Sequence, residues 1–148
     1  MRVIVTGATS FIGSHAVQAL VSQGFEVCAL IRPNSAGKKN LEQMIIKKEL
    51  LEITECELSG LKELAVNAEK LSKIGQKWSH DLGRADYWLH LGWDGSGSDN
   101  RKLADIQSMN AVYALDALET AAAAHCKRFL FCGSQAEWRA KYDNARDR

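Results

Sequence analysis

The sequence predicts an α/β domain built on a doubly wound parallel sheet of about five strands, in the spatial order 3-2-1-4-5. Three observations carry that expectation. Short apolar runs alternate with longer segments of helical period along the chain. Several of those runs are almost wholly apolar, as strands covered on both faces by helices must be. The resulting order, β-α-β-α-β-α-β-α-β, is the pattern of a parallel sheet with right-handed crossovers.

The first strand is Arg2–Thr6, where Val3, Ile4 and Val5 run straight towards Gly7. A helix follows in which Ile12, Ala16, Leu20 and Val21 are expected to share one face, with Gly24 as its stop. Glu26–Ile31 is the second strand, 38–48 a ragged helix and 51–56 the third strand. Leu61, Leu64, Ala68 and Leu71 recur at helical spacing and mark an amphipathic helix, and 74–84 reads as its polar continuation or a loop. Residues 87–91 form the fourth strand, and the Gly-, Ser- and Asp-rich stretch 93–100 is a loop. Ala111, Leu115, Leu118 and Ala122 mark the last amphipathic helix, and 128–132 the fifth strand.

A chain of 148 residues is one domain with room for a substantial core. We expect the domain at 1–138 and a polar tail at 139–148. A net charge of +1 offers no general attraction to nucleic acid or an anionic membrane. No apolar run approaches the ~20 residues of a membrane span. The first residues enter strand pattern directly, without the regions of a signal peptide, so the cytoplasm is the expected compartment. Cys28, Cys56, Cys126 and Cys132 are widely scattered, and three lie in apolar strand-like runs. They read as small buried hydrophobes, and neither a zinc site, nor any other metal site, nor a disulfide is expected.

The first turn, "VTGATSFIGS", carries the functional signal. In an open parallel sheet ligands bind at the carboxyl ends of the strands, and a helix N-terminus there offers unpaired N–H groups to a phosphate. Gly7 permits the tight turn and Gly13 lets the helix pack close to the sheet. On its own this spacing also fits a simple tight connection.

The stretch resembles the T-G-x-x-G-F-I-G fingerprint of extended short-chain dehydrogenases/reductases, the NAD-dependent epimerase/dehydratase group. The likeness continues along the chain: "ALIRPNS" is similar to the second strand end of NADP-using members, "ECELS" to G-D-L-x, "WLHLGW" to H-L-A-A, and "FLFCGSQAEW" to S-S-x-x-V-Y-G, while Asn110 matches a helix asparagine. The resemblance implies a Rossmann-type domain, cofactor contacts from Gly7, Thr9, Ser10, Phe11, Ile12, Gly13, Arg32, Glu57, Leu58, Leu91, Gly92, Trp93 and Asn110, and a catalytic hydroxyl at Ser134. The sequence departs from the pattern at three places. Ser10 replaces a glycine, Glu57 an aspartate, and Trp138 with Arg139 a Tyr-Gly pair.

NAD sites place an acid after the second strand, whereas NADP sites favour an arginine. Here the strand ends at Arg32, with Lys38 and Lys39 following, so NADP is expected over NAD. His90, in an apolar strand, reads as a hydrogen-bonded core histidine, and Asp94, Asp99 and Glu137 as solvated loop charges. The family's Y-x-x-x-K segment would follow Ser134 by about two dozen residues, beyond Arg148; Tyr142 with Arg146 matches it only in outline. The chain thus reads as a cofactor-binding part truncated before a substrate subdomain. The expected function is hydride transfer at a hydroxyl or carbonyl carbon, of a nucleotide sugar among the candidates, with a non-catalytic NADP(H) sensor as the alternative. A sheet ending at its fifth strand exposes apolar surface, so a homo-oligomer is expected.

Overall fold

The computed structural model describes residues 1–75, 84–97 and 99–133. Its sheet comprises β1 (Arg2–Thr6), β2 (Glu26–Ile31), β3 (Leu51–Glu55), β4 (Tyr87–His90) and β5 (Arg128–Phe131). The spatial order is β3-β2-β1-β4-β5 and every pair is parallel, the doubly wound arrangement that the sequence predicts. Three strands end one residue sooner than expected. Cys56, Leu91 and Cys132 have left the strands, yet each still donates its N–H to the neighbouring one, at 2.8, 3.2 and 3.4 Å. The register aligns Thr6 with both Leu30 and His90, so the strands finish along one rim.

Side chains alternate across this sheet, and the alternation divides the core. Val3, Val5, Ala29 and Ile31 face α1 (Phe11–Ser22) and α2 (Lys38–Met44), which contribute Val17, Val21 and Leu41. Ile4, Cys28, Leu30 and Trp88 face the opposite layer, where α3 (Leu61–Val66) and α5 (Ala104–Ala123) contribute Leu61, Ala117 and Ala121. Among the described residues no helix is long and apolar enough to cross a membrane.

Four helical expectations need correction, three of them small. In α1 the buried stripe is Gly13, Ser14, Val17 and Val21; Ala16 and Leu20 are half-buried, and Ile12 is exposed. Small residues at 13 and 14 let the helix sit close to the sheet, which turns its larger apolar neighbour outwards. The helix expected through Leu71 is broken at Asn67, whose backbone is extended (φ −117°, ψ 96°) and whose Oδ1 accepts from Lys70 N at 3.0 Å, capping α4 (Ala68–Leu71). The ragged helix after β2 stops at Met44, and a short 3₁₀ turn at Lys48–Leu50 leads into β3.

The largest correction concerns α5. Its buried residues are Asn110, Asp116, Ala117, Thr120 and Ala121, whereas Ala111, Leu115, Leu118 and Ala122 are exposed. The small and polar side, not the leucine side, meets the sheet and α3. Thr120 accounts for part of this choice, because its one hydroxyl proton is shared between Leu61 O at 2.8 Å and Asp116 O at 2.6 Å.

Candidate functional site

The rim where the strands end is shaped first by backbone. Gly7 adopts φ +69°, and a Cβ there would lie 2.6 Å from the carbonyl of Leu91. A Cβ on Gly13 would collide with Gly7 O, so the turn can close only on two glycines. Ser10, the residue that departs from the expected pattern, is the N-cap of α1: its Oγ accepts from Gly13 N at 3.0 Å. One helix-start N–H is thereby satisfied internally. Phe11 and Ile12 occupy the first two helical positions, where N–H groups have no intrahelical acceptor, and their side chains point to solvent.

A cavity of about 530 Å³ opens beside this turn, lined by residues from the ends of β1, β2, β3 and β4. Of the residues proposed for a cofactor, Gly7, Thr9, Ser10, Arg32, Glu57, Leu58, Leu91, Gly92 and Trp93 line it. Four do not. Gly13 packs against Gly7 O, Phe11 and Ile12 turn their side chains to solvent, and Asn110 is buried in α5. Ser134 lies outside the described residues, as do Glu137, Trp138, Arg139, Tyr142 and Arg146.

At the end of β2 Arg32 lines the cavity and makes no ion pair among the described residues. Neither lysine joins it: Lys38 Nζ is engaged by Glu55 Oε1 at 3.1 Å, and Lys39 does not line the cavity. Thr9 Oγ1 and Ser35 Oγ share a hydrogen bond of 2.9 Å, which clips the loop after β2 to the first turn. Gly37 completes the clip, since a Cβ there would lie 2.8 Å from Thr9 O. Opposite, Cys56 follows β3; burial pushes its thiol up to about 11, so it stays protonated at neutral pH.

The β4 end is held by a relay. Gly92 N–H donates to Thr6 Oγ1 at 3.3 Å, and Thr6 Oγ1 shares a hydrogen bond of 2.8 Å with His90 Nδ1. His90 is 1% exposed, lies near the rings of Phe129 and Phe131, and is held by burial down at about 4. It is therefore neutral at physiological pH and acts in the core, as its apolar setting predicts. Gly92 lies close under Leu58, whose Cδ2 would come within 2.7 Å of a Cβ there and would have to move aside.

Beyond Gly92 the chain is tied to α5 by two amides. Asn110 Oδ1 accepts from Asp94 N at 2.7 Å while its Nδ2 donates to Asp94 O at 3.0 Å. Gln107 Oε1 accepts from Trp93 Nε1 at 2.9 Å, and Gln107 Nε2 donates to Asn100 O at 3.0 Å. Asp94, read from sequence as a solvated charge, lines the cavity, and so do Ser35, Ser96 and Tyr113, which sequence reasoning missed. Ser35 belongs to the same stretch as Arg32, and Tyr113 lies three residues beyond Asn110 on one helix face, so spacing alone held a signal for both.

A model of the NAD dependent epimerase/dehydratase family matches residues 3–146. This chain belongs to that family. Among solved structures it is similar to a UDP-glucose 4-epimerase of Thermotoga maritima with UDP-glucose, at 25% identity and a TM-score of 0.62 over 88% of this chain and 37% of that one. It is also similar to a UDP-glucose 4-epimerase of Stenotrophomonas maltophila with bound NAD and formylated UDP-arabinopyranose, at 18% identity and a TM-score of 0.68 over 92% of this chain and 38% of that one. A short-chain dehydrogenase/reductase of Serratia marcescens matches at 18% identity and a TM-score of 0.64, over 90% of this chain and 55% of that one. The chain thus spans little more than a third of the two epimerases. A fatty acid hydroxylase of Mycosarcoma maydis is 49% identical over only 39 residues, 26% of this chain and 13% of that protein.

Proposed function

We propose that this chain is the cofactor-binding part of an NADP(H)-dependent oxidoreductase or epimerase/dehydratase acting at a hydroxyl or carbonyl carbon. Fit to a dinucleotide rests on the cavity at the strand ends, where Gly7 and Gly13 let the first turn close tightly and Thr9, Ser10 and Arg32 line the space beside it. The diphosphate lies against the Phe11 and Ile12 amides, the 2′-phosphorylated ribose at Arg32, and the nicotinamide end towards Leu91, Gly92 and Trp93. When bound, the nicotinamide supplies the hydride chemistry. The residues of this chain bind and orient it.

The observation that carries NADP over NAD is Arg32, a cavity-lining arginine with no ion pair among the described residues. No acid stands between Val27 and Gly37 to take a ribose 2′-hydroxyl. A charge-assisted contact of this kind contributes about 1.5–3 kcal/mol, or roughly ten- to a hundredfold in affinity. Titrating NADP(H) and NAD(H) into Arg32→Ala is expected to show that loss for NADP(H) alone; equal losses would overturn the preference. A nucleotide sugar is the substrate class we favour, because UDP-sugars occupy the two epimerases above. The cytoplasm is the compartment consistent with this reading.

The same reading includes a second copy of the chain. Ala104, Ser108, Ala111, Leu115, Leu118 and Ala122 form an exposed seam on α5 with alternating steps of four and three residues. That is the spacing of helices that pack along their length, and one seam against its own copy makes a closed twofold contact.

A further inference from the structure

Tyr113 is the cavity residue that the account above leaves without a role. It is half-buried on α5, lines the cavity, and its hydroxyl makes no hydrogen bond among the described residues. A phenol facing a ligand-sized space with its polar atom unengaged is either solvated there or waiting for a partner.

Its place along the helix says which part of the cavity it commands. Thr120, seven residues further on and on the same face, bonds Leu61 O at the start of α3. Seven residues are about two turns, or ~10 Å, so Tyr113 stands that far along α5 from this anchor, and the 3₁₀ turn Leu58–Gly60 leads directly into α3. Leu58 in turn lies against Gly92. Tyr113 thus shares one cavity with Arg32 at the β2 end, and Leu30, Ile31 and Leu58 supply apolar surface to its lining. A planar base attached to a ribose at Arg32 has to enter this space, because the first turn claims the diphosphate on the other side.

We propose that Tyr113 is a base-recognition residue: its hydroxyl hydrogen-bonds the edge of the adenine while Leu58 and Ile31 cover the ring. The inference rests on the dinucleotide reading and adds to it a contact absent from the sequence fingerprint. It assigns Tyr113 to binding, with no part in proton transfer to substrate.

The test titrates adenosine 2′,5′-bisphosphate and nicotinamide mononucleotide into the whole chain and into Tyr113→Phe, with thermal melts of both proteins. Loss of one neutral hydrogen bond predicts about a fivefold weaker bisphosphate complex, unchanged mononucleotide binding and an unchanged melt. Equal affinities in the two proteins, or equal losses for both ligands, would overturn the assignment. If the unsubstituted chain bound neither nucleotide, the dinucleotide reading would fall first and this contact with it. Binding by the unsubstituted chain that Tyr113→Phe retains in full would remove only the role of Tyr113.

Discussion

The two long faces of α5 invert what hydropathy alone suggests. The side that meets α3 and the sheet carries Asn110, Tyr113, Ala117, Thr120 and Ala121, whereas the side that meets solvent carries Leu115 and Leu118. The difference teaches that closeness, not apolarity, selected the inner face. Alanine and threonine let two helices approach until a side-chain hydroxyl can reach a backbone carbonyl, and the outer leucines are left for another surface.

Substitutions on the two faces should therefore differ in kind as well as in size. Ala117 is fully buried, so Ala117→Leu forces extra volume into the tightest contact and should cost about 1–3 kcal/mol in denaturant unfolding. A near-neutral result would mean that the α3 contact is loose. Thr120→Val keeps the shape but leaves Leu61 O without its hydroxyl donor, and about 1 kcal/mol of lost stability is expected by the same measurement. Leu115→Glu should have the smallest effect on unfolding, since the side chain is 61% exposed. Its effect belongs to sedimentation velocity, where the parent chain should dimerise as concentration rises and the variant should stay monomeric. Monomers in both cases would refute the seam.

The same contrast explains how much was legible in the sequence. The five strands were readable because strands buried on both faces must be apolar almost throughout, and β2 is wholly so beyond Glu26. The first turn was readable because only glycine satisfies its backbone demands. Helix orientation was less so: counting apolar residues finds a stripe but cannot say whether another element will come close enough to prefer small side chains. In α1 the same effect moved the buried stripe from Ile12 to Gly13 and Ser14.

Within the site, legibility followed sequence distance. Gly7, Thr9 and Ser10 announce themselves inside one short motif. Ser35 enters through a hydroxyl pair with Thr9 across 26 residues, and Asp94 through an amide 16 residues away, relations that exist only once the strands have paired. Asn110 matched a known pattern, yet its action is indirect: it shapes the loop that lines the cavity instead of reaching the cavity itself.

Asn110 behaves as a surrogate peptide group, with its amide closing a two-point bracket on Asp94. Past that bracket Gly95 turns at φ +65°, and Gln107 on α5 grips its carbonyl at 3.3 Å, so the chain leaves the rim from a doubly pinned corner. Loosening either pin should retune the mouth of the cavity before it troubles the strands beneath.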